Sequence, residues 1–278
     1  MPNSISLNQH ILGQCSLHPE ARGELSMIMT QIALGGKMIA QDLRQAGLLD
    51  ILGSTGEVNV QGEEVQKLDK RANDTFVRVL ESNRVVRALI SEEMEEPYMV
   101  DHANNYAVFF DPLDGSSNVD VNAPLGSIFS IHRLPCKSSG NGDYLKPGVE
   151  QVAAGYILYG ASTVLVYTCG DGVHLFTLHS HFGRFLLTMS YITNPDRGKI
   201  YSVNEGNSQK WSIGMKKYID YLQKVDSSTG RPYSLRYTGC LVADVHRVLL
   251  KGGLYLYPGE VKKPEGKLRL IYEAAPLT

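Results

Sequence analysis

The chain has 278 residues, more than one small hydrophobic core needs, so it reads as one large domain or two joined lobes. It is 43% hydrophobic and 20% charged, with Lys+Arg 27 against Asp+Glu 29 and a formal net charge of -2. That balance argues against a nucleic-acid-binding surface and a membrane-adsorbed face, leaving a small molecule as the expected partner.

The N-terminal MPNSISLNQHILGQCSLHPE has no basic start followed by a long apolar core, and no apolar run suffices to cross a bilayer. No signal peptide and a cytoplasmic location are expected. From Glu24 to Leu43, Leu25, Ile28, Ile32, Ile39 and Leu43 recur at helical spacing, with Gly23 or Ser26 to start the helix. GEEVQKLDKRANDTFVRVLESN repeats the pattern through Val65, Leu68, Ala72, Phe76 and Leu80, entered from the loop LGSTGEVNVQG. VVRALISEE, YAVFFDPLDGSS and GSIFSIHR read as strands. QVAAGYILYG, STVLVYTCGDG and VHLFTLHSHFG follow at hairpin spacing, predicting mostly antiparallel pairing.

The pattern restarts near Asn194 with a strand in GKIYSVNEGN, a helix from Trp211 to Leu222, the loop QKVDSSTGRP, a helix LVADVHRVLL stopped by Gly252-Gly253, and two further strands. The expected division is therefore 1–194 and 195–278. Cys15, Cys136, Cys169 and Cys240 show no C-x-x-C spacing and read as reduced thiols; Cys136 lies in a polar loop without an activating neighbour.

Three apolar runs end on acids: RALISEE on Glu92 and Glu93, YAVFFDPLD on Asp111 and Asp114, and KLRLIYE on Glu273. If these are neighbouring strands, their ends converge where open α/β sheets bind ligands, and the cluster stays ionised only with cations present. Oxygen-only donors favour Mg²⁺ or Mn²⁺ over zinc. Two such ions would orient a water and stabilise the leaving oxygen in phosphoryl transfer, while Gly115-Ser116-Ser117 offers backbone N–H groups and hydroxyls for a phosphate. Taken alone, D-x-x-D-G reads equally well as a turn, and Glu92-Glu93 as a solvated pair.

ISEE, FDPLDGSSN, GKIYSVNEGN, RYTGCLVADVHRVLLKGGLYLYP and GKLRLIYEAAP stand in the order and spacing of class I fructose-1,6-bisphosphatase, a family within the lithium-sensitive, magnesium-dependent sugar phosphatases, and the chain resembles that family over nearly its whole length. The resemblance implies an α/β fold, a five-layer α-β-α-β-α sandwich with two mixed sheets, assembled as a homotetramer. It implies Mg²⁺-dependent hydrolysis of the 1-phosphate of fructose 1,6-bisphosphate. Glu92, Glu93, Asp111, Asp114, Glu273 and the Leu113 carbonyl would be metal ligands, with Asp69 and Glu93 activating the attacking water. Glu63 stands where the family has a mobile-loop Asp. Gly115, Ser116 and Ser117 would hold the 1-phosphate; Asn204, Tyr237, Tyr257 and Lys267 would contact the 6-phosphate and sugar, joined by Arg236 from a neighbouring subunit. His246 reads as a packed or surface histidine.

The same resemblance implies an AMP inhibitory site formed by Gly23, Glu24, Ser26, Tyr106 and Arg133. Arg22 replaces a usual threonine and Asn105 a usual lysine, the latter change removing a phosphate contact worth about 1–3 kcal/mol. Asn207 replaces a usual tyrosine. Family members continue beyond Glu273 through a strand-rich segment and closing helix, so reduced support for the second lobe is expected in a chain ending at Thr278. The alternatives are a sedoheptulose-1,7-bisphosphatase or dual-specificity enzyme, and a catalytically silent sugar-phosphate-binding subunit. Inositol monophosphatase shares the acidic motif but lacks VADVHRVLLKGG and GKLRLIYE.

Overall fold

The computed structural model describes residues 5–17, 23–49, 52–58, 64–82, 84–101, 104–135, 144 and 146–278. Glu63, Arg22 and Cys136 lie outside the described residues. The helices are α1 (Leu7–Leu17), α2 (Glu24–Arg44), α3 (Lys67–Ser82), α4 (Ile213–Gln223), α5 (Leu241–Lys251) and α6 (Ala275–Leu277). The strands are β1 (Ser54–Val58), β2 (Glu64–Gln66), β3 (Ala88–Ser91), β4 (Tyr98–Met99), β5 (Tyr106–Asp114), β6 (Leu125–Arg133), β7 (Gln151–Tyr159), β8 (Thr163–Thr168), β9 (Val173–His179), β10 (Arg184–Met189), β11 (Ile200–Ser202), β12 (Ser234–Leu235) and β13 (Leu254–Tyr255).

The apolar stripes of α2 and α3 form as their spacing predicts, except that Val65 falls in β2 ahead of α3, and both helices bury them against the larger sheet. That sheet has eight strands in the order β10-β9-β8-β7-β6-β5-β3-β4. It is mixed, since β3 and β5 run parallel while its other described pairs are antiparallel. Val108, Phe110, Phe129, Ile131, Ile157 and Leu165 share a core with α1, α2 and α3. On the opposite face, Ile128, Tyr156, Val164 and Val166 meet Leu241, Val242 and Ala243 of α5. This two-sided burial explains why β5 is apolar without alternation.

On its far side α5 packs against β11 and β13, which with β12 form the smaller sheet. Tyr201 and Val203 then pack with Trp211, Ile219 and Leu222 around α4, completing α-β-α-β-α layering. The smaller sheet departs from the expectation of mixed pairing, because β11 pairs in parallel with both neighbours. Its strands are joined through the crossovers that contain α4 and α5, which is the connection parallel strands require.

α1 and β10 are additions to the sequence reading. α1 starts at a reciprocal cap in which Ser6 N–H donates to Gln9 Oε1 at 2.9 Å and Gln9 N–H donates to Ser6 Oγ at 3.4 Å. The run KLRLIYE does not end a strand. Leu270–Ala274 is a wide helical turn in which the Glu273 and Ala274 N–H groups both donate to the Arg269 carbonyl. The Arg269 N–H donates to the Glu273 carboxylate at 2.7 Å, closing the turn on itself. His246 fits its plain reading, half-buried with Nδ1 2.8 Å from the Tyr156 hydroxyl.

The approach of α5 to β6 depends on Gly126, where a Cβ would lie 2.4 Å from the Val242 side chain. Gly126→Ala should lower unfolding stability by about 1–3 kcal/mol through this overpacking. A urea-unfolding midpoint equal to that of the unsubstituted chain would show that the contact is not tight.

Candidate active site

Three ladder features bring the acids together. Ser91 pairs with Phe110 in the parallel β3–β5 register, and the Glu92 N–H donates to the Phe110 carbonyl at 3.1 Å, so Glu92 stands beside Asp111. Residues three apart in a regular strand point to opposite faces. The β5–β6 register, however, shifts between Asp111 and Asp114, around Pro112, and both aspartates consequently line one cavity. The Leu113 N–H donates to Asp111 Oδ1 at 3.0 Å within this bulge. Glu273 arrives from the helical turn, reaching the same place by a route different from the strand end expected of it.

Ligand oxygens of buried Glu92, Asp111 and Glu273 all lie within 4.8 Å of one another. Burial, with repulsion from Glu273 and Glu93, pushes the Glu92 carboxyl up to about 8 against the opposing charge of Arg269. Burial first, then Glu92, Asp114 and Glu273, holds Asp111 well above the ordinary carboxylate range. Glu273 is raised by burial and restrained by Arg269. A donor set of buried carboxylate oxygens that repel one another fits a hard divalent cation, which would remove that repulsion.

Arg269 is the cation the structure shows here: Nη2 is 2.8 Å from Glu92 and Nη1 3.2 Å from Glu273. The sequence reading missed this residue, although its four-residue spacing from Glu273 was a usable signal. Asp114 is also buried, but its hydrogen bonds run to the start of α5: Cys240 Sγ–H donates to Oδ2 at 3.0 Å, Val242 N–H to Oδ2 at 2.7 Å and Leu241 N–H to Oδ1 at 3.2 Å. Burial raises its carboxyl and these donors oppose the rise. Cys240 was missed as well, for no local pattern links it to a residue 126 positions away.

The cavity holds about 560 Å³ and is also lined by Asp69, Glu93, Leu113, Gly115, Ser116, Ser117, Tyr237, Tyr257 and Lys267. Asp69, buried in the first turn of α3, accepts from the Gln66 N–H at 3.0 Å. Gly115 takes φ 79, opening a short 3-10 turn over Ser116–Asn118. Asn118 Nδ2 ties that turn to the Thr238 carbonyl at 3.1 Å. Asn204 lines an adjoining small pocket shared with Tyr257 and Lys267 and accepts from the Gly206 N–H at 3.1 Å, while burial raises the Tyr237 hydroxyl.

Arg236 is not brought into the cavity; it is exposed, with Nη1 donating to the Leu235 carbonyl at 2.8 Å. Gly23, with φ 82, precedes α2, whose first turn carries Glu24 and Ser26. Tyr106 and Arg133 are cross-strand partners at the end of β5 remote from its aspartates. None of these five lines the carboxylate cavity.

A family model described as Fructose-1-6-bisphosphatase, N-terminal domain matches residues 5–190, and one described as Fructose-1-6-bisphosphatase, C-terminal domain matches residues 194–278. The Fructose-1,6-bisphosphatase class 1 of Chlorobium chlorochromatii is 50% identical over 283 residues, covering 100% of this chain and 85% of its own. That of Trichormus variabilis is 49% identical, covering 98% of this chain and 78% of its own. The crystal structure of Leishmania major fructose-1,6-bisphosphatase in holo form matches with a TM-score of 0.91 at 40% identity, covering 99% of this chain and 85% of that one. With the two family models matching residues 5–190 and 194–278 and half the aligned residues shared with a relative, this chain belongs to the fructose-1,6-bisphosphatase family.

Proposed function

We propose that this cavity is where the chain hydrolyses the 1-phosphate of fructose 1,6-bisphosphate to fructose 6-phosphate and phosphate. The observation that carries the site assignment is the juxtaposition, in one cavity, of three mutually close buried carboxylates with the Gly115-Ser116-Ser117 turn and a rim of Tyr237, Tyr257 and Lys267. Glu92, Glu93, Asp111, Asp114, Glu273 and the Leu113 carbonyl are the residues that would hold Mg²⁺, or Mn²⁺. When bound, such ions supply Lewis-acid stabilisation of phosphoryl charge and make water a better nucleophile near neutral pH.

The remaining steps belong to the chain. The backbone N–H groups and hydroxyls of Gly115, Ser116 and Ser117 hold the 1-phosphate. Asn204, Tyr237, Tyr257 and Lys267 hold the sugar and its 6-phosphate, and Lys267 supplies the positive charge that this end needs. Asp69 and Glu93 accept the proton of the attacking water as its oxygen bonds to phosphorus. The ester P–O bond breaks, and the C1 oxygen leaves with the bonding pair and takes a proton from solvent, to which Asp69 and Glu93 return the one they accepted. Sedoheptulose 1,7-bisphosphate, one carbon longer, is the second candidate substrate.

The proposal extends to the assembly and its control: two lobes dividing near Asn194, a cytoplasmic homotetramer in which Arg236 serves a neighbouring subunit, and AMP inhibition through Gly23, Glu24, Ser26, Tyr106 and Arg133. Among the described residues no helix is long and apolar enough to cross a membrane. Asn105, where the family has lysine, has its Oδ1 engaged by Arg87 Nη2 at 3.2 Å, so weak AMP inhibition is expected.

Phosphate release from fructose 1,6-bisphosphate should be saturable by Mg²⁺ and abolished by EDTA; binding without release under saturating Mg²⁺ would favour the silent subunit. Arg269→Gln strips the buried carboxylates of their cation and should destabilise the metal-free protein by about 3–5 kcal/mol. Much of that loss should return with Mg²⁺, and equal thermal midpoints for the metal-free variant and the unsubstituted chain would discount the pairing. AMP titrated into the assay should inhibit only at high concentration, with sedimentation equilibrium reporting a tetramer; tight inhibition would show that Asn105 does not weaken the site, and a monomer would remove the role given to Arg236.

A further inference from the structure

Cys240 takes no part in the steps above, yet it is fully buried and stands at the junction of the two elements that shape the cavity. Its thiol donates to Asp114 Oδ2 at 3.0 Å, and its sulfur accepts from the Ala243 N–H at 3.4 Å. One side chain thus caps the first turn of α5 and grips the carboxylate that ends β5. The geometry of the opposite side is equally close: a Cβ on Gly115 would lie 2.8 Å from Cys240 Cβ.

The backbone around the cysteine is itself held. Cys240 N–H donates to Thr238 Oγ1 at 3.3 Å, Thr238 N–H donates to Asp244 Oδ2 at 3.0 Å, and Asp244, wholly buried, is braced by Arg247 at 3.1 Å. The sulfur is therefore fixed relative to β5 by the helix start, and a thiol has one proton to give.

We infer that Cys240 is a positioning residue for the hydrolytic site: its S–H, with the N–H groups of Leu241 and Val242, sets the orientation of the Asp114 carboxylate toward the cavity. The inference rests on the reading of the cavity given above and deepens it. A carboxylate with two oxygens and three donors from one helix turn has a single orientation; removing the thiol, one of the two donors on Oδ2, leaves only the two amides to define it. Groups that orient a ligand from behind typically change metal affinity or activity about 10- to 100-fold when removed.

The test compares Cys240→Ala and Cys240→Ser with the unsubstituted full chain. Phosphate release gives kcat and KM for fructose 1,6-bisphosphate, calorimetric titration of Mg²⁺ into metal-free protein gives its affinity, and thermal unfolding gives stability. Cys240→Ala should lose about 10- to 100-fold in kcat or in Mg²⁺ affinity, with KM changed by no more than about twofold. Cys240→Ser, which restores an O–H donor in a smaller atom, should recover most of that loss. Unchanged kcat and Mg²⁺ affinity in a folded Cys240→Ala would overturn the inference. So would a folded serine variant as impaired as the alanine one, because space rather than the donor would then matter. A lowered thermal midpoint alone, with Mg²⁺ affinity intact, would assign the thiol to helix capping only. Should the unsubstituted chain release no phosphate, the hydrolase reading falls, while the Mg²⁺ titrations still decide whether the thiol orients Asp114.

Discussion

Like charges held together away from water are the constraint on which this structure turns. Two carboxylates at the 4.8 Å limit spanned by Glu92, Asp111 and Glu273 repel by roughly 1 kcal/mol in bulk water and roughly 3–4 kcal/mol at an effective dielectric of 20. No chain would gather them without a positive charge in the balance. Arg269 provides part of it, while burial first and the neighbouring carboxylates after it push the carboxyls of Glu92, Asp111 and Glu273 upward. A buried acidic cluster left partly unneutralised in this way could bind a metal ion.

Rigid elements impose the crowding. Parallel pairing of β3 with β5 sets Glu92 beside Asp111, and the bulge around Pro112 turns Asp114 toward the same cavity. Ser127 steadies that bulge by donating to the Pro112 carbonyl at 2.7 Å, and the Tyr159 hydroxyl lies 2.8 Å from the same serine. The eight-stranded sheet is buried on both faces at this point, so displacing the acids would disturb two cores at once. Packing energy thereby holds an electrostatic arrangement that would not hold itself.

α5 joins these two roles in one element. Its apolar residues Leu241, Val242 and Ala243 close the core on β6 and β7, while the N–H groups of its first turn hold Asp114. Because the same helix also meets β11 and β13, it connects the carboxylates to the part of the cavity rimmed by Tyr237, Tyr257 and Lys267. The two ends of a bisphosphate would therefore be spaced by a single packed helix.

Local signals carried α2, α3, α5 and, in the larger sheet, β3 and β5 to β9, because their apolar periodicity is written residue by residue; the two edge strands β4 and β10 were not read. The acids at the ends of ALIS and YAVFFDPLD were legible for the same reason. The alternating look of KLRLIYE misled: a turn closed by Arg269 on Glu273 satisfies the backbone there without a neighbouring strand. α1 was not read from the sequence; its Ser6–Gln9 cap is seen only in the structure. By itself the sequence determined most of the element types, the family motifs and which residues carry ionisable groups, since these depend on neighbours along the chain. Only the tertiary structure decided that Asp114 faces α5, that Arg269 sits among the carboxylates, that Cys240 touches both β5 and α5, and that Arg236 stays outside the cavity. Those facts arise from contacts between residues far apart in sequence, where packing and burial rather than local preference set the geometry.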